Sequence, residues 1–172
     1  MPALIDRGMG WLPDYPDLRD YTARHEQVRK LMPRPARTQQ RRTGSAPVDL
    51  RGLCPPVEDQ GELGSCTANA AVAVVEYCER RASGTHTDAS RLFLYKATRN
   101  LMHMTGDTGA WLRTTMKAMV LFGVPPEEYW PYRVADFDKE PTAFCYAFGQ
   151  AYQPIKYYRH DPAGTTSEAI II

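Results

Sequence analysis

The sequence contains no apolar run approaching the roughly 20 residues that a membrane-spanning helix requires. Its first ten residues also lack the positively charged region followed by an apolar stretch that marks a secretory signal. These two absences predict a protein that does not associate with membranes. We therefore expect a cytoplasmic location.

An excess of charge of either sign is also missing, because 21 lysines and arginines oppose 20 aspartates and glutamates. No net electrostatic field would then attract the chain to nucleic acid or to an acidic membrane surface. We expect a partner that is recognised by shape, and no nucleic acid. The 172 residues are 43% hydrophobic and 24% charged, which is typical of a globular chain that buries a core.

Closely spaced cysteine pairs are absent as well. The four cysteines, Cys54, Cys66, Cys78 and Cys145, do not form the C-x-x-C pairs of a zinc site or a redox motif. This spacing gives no support for a metal site. A chain of this length does not need disulfides for stability, so at least one cysteine should be free for chemistry. Pairing between Cys54 and Cys145 stays open.

The first 47 residues form a region apart, predicted to be an N-terminal arm and a basic linker. Residues 1–21 are rich in turns and aromatics, which predicts an extended arm laid over a folded body. Residues 29–47 combine six basic residues with three prolines and little apolar character, which predicts a flexible linker. An RNA-binding arm is the alternative, but base stacking requires interleaved aromatics, and this stretch has none.

A compact region is predicted from Val48 onward. Residues 66–81 are predicted to form a helix that is apolar around nearly its whole circumference for its first three turns, so this helix should be buried, with the Ser65 hydroxyl capping its first turn. Helices are also predicted over about 90–101, 110–122 and 142–151, and a strand over 152–158. Residues 165–168 form a capping box, which predicts the start of one more helix.

The segment with the clearest chemistry is Gln60-Gly61-Glu62-Leu63-Gly64-Ser65-Cys66. A thiolate at Cys66 would be stabilised by the positive end of the helix dipole, and the Cys66 N–H could bind an oxyanion. Gln60 could supply a second donor, and the glycines would let the backbone approach a substrate closely. Alternatively, Cys66 is a small buried residue that opens an apolar helix. The combination of glutamine, glycines and helix start favours a nucleophile.

This segment, preceded by residues 48–51, resembles the active-site segment of the papain family of cysteine peptidases. Similarity extends to residues 90–93, 107–110 and 130–132, and the arm is similar to the leader of a bacterial subgroup. The resemblance implies an α+β papain-like fold. A helical left domain carrying the nucleophile would span residues 48–132, and a β-rich right domain would begin over residues 133–172.

The resemblance also implies roles for individual residues. Cys66 would be the nucleophile and Gln60 an oxyanion-hole donor, and both would act on a peptide or protein substrate through a thioester. This reaction implies no metal and no cofactor. Substrate-binding residues would be Gly64, Ser65, Gly109 and Ala110. Leu63 and Thr67 depart from the family pattern, and Leu63 removes one half of a disulfide.

The general base expected of this family is missing. Its histidine and asparagine lie roughly 130 to 150 residues beyond the cysteine, which corresponds to positions past Ile172. We therefore expect a chain truncated before these residues. His160 lies 160 − 66 = 94 residues after Cys66 and is not expected to replace them. The remaining histidines, His25, His86 and His103, are predicted to lie at the surface.

Two functions remain open at this stage. The chain could be a peptidase completed by a longer chain or a partner, or an inactive papain-like module that binds peptides or a partner. An incomplete right domain would expose apolar surface and favour self-association. The length and aromatic content of residues 1–47 also suggest that this arm inhibits the cleft in the manner of a propeptide.

Overall fold

The computed structural model describes residues 9–15, 17–32, 49–154, 156–159 and 169–170. Helices in these ranges are α1 (Glu26–Leu31), α2 (Cys66–Ser83), α3 (Arg91–Leu101), α4 (Leu112–Phe122) and α5 (Ala143–Gly149). Strands are β1 (Trp11–Leu12), β2 (Ala110–Trp111), β3 (Tyr158–Arg159) and β4 (Ala169–Ile170). Short 3₁₀ turns occupy Arg51–Leu53, Glu127–Tyr129, Val134–Asp136 and Gln150–Tyr152.

The core lies where α2, α3 and α4 pack together. Helix α3 is at its centre, because the consecutive residues Leu92, Phe93, Leu94 and Tyr95 are all fully buried. Helix α4 contributes Met116 and Met119, whose flexible side chains fill the space beside α3. The helices predicted over 90–101, 110–122 and 142–151 are present, although residues 110 and 111 form a strand.

Helix α2 is buried on one face only, so the prediction of burial around its circumference was wrong. Ala68, Ala71 and Val72 are buried, whereas Val75 is half-buried and Cys78 is exposed. The face away from α3 borders a cavity of about 460 Å³. Its lining includes residues of α1, of α2 and of the segment 151–158. The apolar residues of α2 thus pack against α3 and α4 on one side of the helix and line this cavity on the other side.

Helix α1 contradicts part of the predicted linker. It runs to Leu31, its first turn is capped by the His25 side chain, and Val28 is only 3% exposed. Burial of Val28 stabilises this short helix, which could not persist alone in water. The rest of the predicted linker lies outside the described residues.

The described strands form two small two-stranded sheets. β1 pairs in parallel with β2, with Trp11 opposite Ala110 and Leu12 opposite Trp111. β3 pairs antiparallel with β4. The strand predicted over 152–158 is instead the two-residue strand β3, Tyr158–Arg159, which overlaps the predicted range only at Tyr158. The predicted capping box at 165–168 lies outside the described residues. In the described part of the chain, every helix is too short or too polar to cross a membrane.

Glu76 is a buried carboxyl group on α2. It is 3% exposed, and one carboxyl oxygen accepts a hydrogen bond from the Ala89 N–H at 2.9 Å. Burial raises the pKa of Glu76 to about 7, more than the hydrogen bond from Ala89 lowers it. Glu76 therefore holds a proton in the folded protein at pH values where the unfolded chain has lost it.

Replacing Glu76 with glutamine should flatten the pH dependence of stability. In the unsubstituted protein the folded state binds the extra proton, so the free energy of unfolding should fall as pH rises from the unfolded pKa towards about 7. A loss of roughly 3 kcal/mol across this window corresponds to the shift in pKa. Urea unfolding from pH 4 to 8 measures it, with the exposed Glu62→Gln as matched control. Parallel profiles for Glu76→Gln and the unsubstituted protein would contradict the assignment.

Candidate active site

Cys66 is the first residue of α2 and is half-buried. At this position the Cys66 N–H has no carbonyl partner within the helix, and it points outward at the N-terminal end of α2. The positive end of the α2 dipole lies at the same site. Backbone geometry alone thus supplies an anion-stabilising environment for the cysteine.

Ser65 stands at the N-cap position, but its hydroxyl does not cap α2, so that prediction was wrong. The residue is fully buried, and its hydroxyl is hydrogen-bonded to the Tyr132 hydroxyl at 2.6 Å. It also accepts from the Asn69 side chain at 2.9 Å. These partners replace the capping bond. Any contact of Ser65 with a peptide stays a prediction and would have to use its backbone.

The loop that precedes Cys66 is closed by internal hydrogen bonds. The Gln60 side-chain amide donates to the Leu63 carbonyl at 2.9 Å. Gly61 has φ +62°, in the left-handed region that favours glycine, and its N–H donates to the Asp59 carboxylate at 2.9 Å. The Gln60 side chain is therefore tied to the backbone of this loop at Leu63.

Tyr132, which lies far from this loop in the sequence, forms hydrogen bonds at both ends of the loop, to Gln60 and to Ser65. In addition to its bond with Ser65, its hydroxyl donates to the Gln60 carbonyl at 3.0 Å. The Arg91 guanidinium lies over the Tyr132 ring, 4.3 Å from its centroid, and Glu127 accepts from the Tyr132 N–H at 2.6 Å. Sequence reasoning noted Tyr132 only as part of a family turn and missed this contact, which spans 67 residues.

Gly64 and Gly109 face each other across a single extended segment of the arm. A Cβ on Gly10 would lie 1.6 Å from the Gly64 oxygen, and a Cβ on Gly109 would lie 2.3 Å from the Gly10 oxygen. The Ala110 N–H donates to the Gly10 carbonyl at 2.7 Å. The structure thus brings three of the predicted substrate-binding residues together around Gly10. Their contact with a substrate stays a prediction.

Arg113 attaches the arm to the start of α4. Its guanidinium donates to the Asp20 carboxylate at 2.9 and 2.8 Å and to the Tyr15 carbonyl at 2.8 Å. The Arg113 N–H also donates to the Asp14 carboxylate at 3.1 Å. The side chains of Arg113, Asp14 and Asp20 are each less than a quarter exposed. Nothing in the local sequence singled out Arg113.

The described histidines occupy other parts of the molecule. His25 caps α1 and is exposed, and His103 is exposed at the end of α3 with φ 57°. His86 is half-buried and hydrogen-bonded to Arg80 at 2.9 Å. Since a helix rises 1.5 Å per residue, Arg80 lies about 20 Å from Cys66 along α2. His160 lies outside the described residues.

All four cysteines are free thiols. Cys54 and Cys78 are exposed, Cys66 is half-buried and Cys145 is buried. Pairing between Cys54 and Cys145, left open by the sequence, does not occur in this structure. Cys66 differs from the others because it alone opens a long helix.

Comparison with known proteins gives relatives of one kind, although no family model matches the chain. The chain is 36% identical over 105 residues to an uncharacterized peptidase C1-like protein of Acanthamoeba polyphaga mimivirus, a match that covers 60% of this chain and 34% of that protein. It is 31% identical to xylellain, a cysteine protease from Xylella fastidiosa, with a TM-score of 0.68 over 90% of this chain and 59% of that one.

A third similarity bears on the fold alone. Digestive procathepsin L 3 of Tenebrio molitor matches with a TM-score of 0.59 at 20% identity, over 94% of this chain and 45% of that one. The chain thus spans about a third of the viral relative and about three fifths of xylellain. The chain has a papain-like α+β fold, and its sequence is similar to those of a peptidase C1-like protein and of a cysteine protease.

Proposed function

We propose that this chain supplies the nucleophile half of a cysteine peptidase that hydrolyses peptide bonds. The Cys66 thiolate attacks the substrate carbonyl carbon, the C–N bond breaks as a thioester forms, and the amine leaves with a proton. Water then hydrolyses the thioester and regenerates the thiol. The histidine and asparagine of the reaction come from a longer form of the chain or from a partner. The domain division at residues 47 and 132 is part of this proposal.

The observation that carries the proposal is the placement of Cys66 at a helix start beside a backbone that already binds an extended strand. The Gly109–Ala110 segment pairs with β1 in the way that it would pair with a peptide substrate. The Cys66 N–H and the Gln60 amide supply the oxyanion donors.

The arm is part of the same proposal, as an inhibitory cover. Gly10 lies between the two walls where a substrate backbone would lie, and Arg113 holds the following residues through Asp14 and Asp20. A peptide can enter only when this segment leaves. The fraction of molecules in which the arm has left the cleft therefore sets the apparent affinity for substrate.

A second candidate function is peptide or partner binding without cleavage. It is supported by the positions of the described histidines, which cap α1, bond Arg80 or follow α3 instead of meeting Cys66. Removing the base from such a site lowers turnover by orders of magnitude but leaves the binding cleft intact.

Reaction with a peptidyl epoxide from pH 4 to 9 separates these functions, with mass spectrometry to locate the adduct and a peptide substrate assayed alongside. We expect selective alkylation of Cys66, abolished in Cys66→Ser and retained in the matched control Cys78→Ser. Alkylation below pH 7, with cleavage once a longer form of the chain or a partner supplies the histidine and asparagine, supports the peptidase. Alkylation that rises only near the ordinary thiol pKa of roughly 8.5, with no cleavage by that completed form, supports the binding module. Equal labelling of Cys54, Cys66 and Cys78 would refute both.

A further inference from the structure

Four polar groups form a continuous chain of hydrogen bonds between the two walls of the cleft. The Gly64 N–H donates to both oxygens of the Asp107 carboxylate, at 3.0 Å each. The Tyr95 hydroxyl donates to the same carboxylate at 2.5 Å. The Gly109 N–H in turn donates to the Tyr95 hydroxyl oxygen at 3.0 Å. The chain therefore begins on the nucleophile loop and ends on the segment that pairs with β1.

The environment of Tyr95 keeps this chain in one arrangement. Its side chain is fully buried in α3, and the Arg99 guanidinium lies 4.3 Å from its ring centroid. Burial, together with the hydrogen bond to Asp107, raises the pKa of Tyr95, so the hydroxyl remains protonated and able to donate. Asp107, which lies between Tyr95 and Gly64 in this chain of hydrogen bonds, is exposed. The part of the chain formed by Tyr95 and Gly109 is thus buried, and Asp107 connects it to the nucleophile loop.

We infer that Asp107 and Tyr95 are positioning residues that fix the spacing between Gly64 and Gly109, and with it the register of a bound peptide relative to Cys66. The inference rests on the proposed function, because it takes these glycines as the walls of a peptide site. Gly64 and Asp107 are 43 residues apart, and their contact is the direct polar link between the two walls. A charged acceptor holds the Gly64 N–H more strongly than a neutral group would.

Hydrogen exchange at single amides tests whether the four groups act as one unit. In Asp107→Ala we expect the Gly109 N–H, which does not touch Asp107, to exchange about tenfold faster, because Tyr95 loses its acceptor. In Tyr95→Phe the Gly64 N–H should exchange faster by a similar factor, although Gly64 does not touch Tyr95. Thr105→Ala, at an exposed position between Tyr95 and Asp107 in the sequence, is the control and should leave both amides unchanged. If each variant affects only the amide that it contacts, the inference is refuted.

The ratio of two alkylation rates at Cys66 tests the consequence for peptides. We expect the rate with a peptidyl epoxide, divided by that with iodoacetamide, to fall about tenfold in Asp107→Ala and in Tyr95→Phe. Asp107→Asn, which keeps one acceptor oxygen, should recover part of the ratio, and Thr105→Ala should match the unsubstituted protein. Dividing by the iodoacetamide rate removes any change in how often the arm opens. An unchanged ratio in both variants would overturn the role in register.

The two measurements separate failure of this inference from failure of the proposed function. Hydrogen exchange needs no reaction at Cys66, so it decides the connection between Gly64 and Gly109 in either case. A Cys66 that is not selectively alkylated in the unsubstituted protein would refute the proposed function, and with it the role in peptide register. Coupled exchange with an unchanged alkylation ratio would refute the register alone.

Discussion

Replacing Gly10 with alanine should accelerate alkylation of Cys66 by about tenfold or more. The new Cβ would lie 1.6 Å from the Gly64 oxygen and 2.1 Å from its carbonyl carbon, which are backbone atoms that cannot yield locally. The arm must then leave the cleft and lose the bond between the Gly10 oxygen and the Ala110 N–H. Only about 1.4 kcal/mol of lost arm binding is needed for a tenfold change in occupancy. Second-order rates with iodoacetamide measure the effect.

Gly52→Ala is the matched control for this substitution. A Cβ at Gly52 meets no atom within 4 Å, so the same chemical change should leave the alkylation rate as it is. Unfolding midpoints measured alongside show whether the gain in rate comes from release of the arm and not from general loosening. An alkylation rate in Gly10→Ala equal to that of the unsubstituted protein would mean that the arm does not restrict access to Cys66.

Replacing Arg99 with methionine should lower the free energy of unfolding by roughly 3 kcal/mol, because buried acceptors lose their donor. The Arg99 side chain is fully buried, donates to the carbonyls of Gly106 and Phe137, and pairs with Asp138 at 2.9 Å. Methionine keeps much of the volume and removes the charge. Urea unfolding monitored by circular dichroism gives the difference.

Arg133→Met provides the comparison for an exposed arginine. Arg133 is 68% exposed and lies 3.7 Å from Asp136, and pairs of this kind contribute at most about 1 kcal/mol. A loss in Arg99→Met no larger than the loss in Arg133→Met would contradict a structural role for the buried guanidinium. Arg99 also holds the Gly106 carbonyl, and Gly106 immediately precedes Asp107, which accepts from the Gly64 N–H. Loss of Arg99 should therefore also speed hydrogen exchange of the Gly64 N–H.

Local sequence patterns were sufficient for the helices that carry the site. The apolar run after Cys66, the glycines before it and the N-cap Ser90 each depend on neighbours a few residues away, and α2 and α3 begin within one residue of where they were predicted. The papain-like fold followed from the same segments. The catalytic and substrate-binding assignments remain predictions, because they concern contact with a peptide that the fold alone does not supply.

Patterns were not sufficient where one segment depends on another. The residues around Val28 have no strong helical pattern, yet α1 forms there with Val28 buried, and Val28 lines the same cavity as Val74 and Val75 of α2. Ser65 carries the usual N-cap signature, but its hydroxyl bonds Tyr132 because the later chain brings a phenol within 2.6 Å. In both cases the partner lies tens of residues away, beyond the reach of a local pattern.

The sequence by itself determined that a cysteine opens a long apolar helix after a glycine-containing loop, since helix periodicity, turn residues and the dipole are local properties. Only the tertiary structure decided what surrounds that cysteine. It placed Gly10 between Gly64 and Gly109, and it linked those walls through Asp107 and Tyr95. Such contacts depend on the path of the chain between them, and therefore on how α2, α3 and α4 pack as a whole.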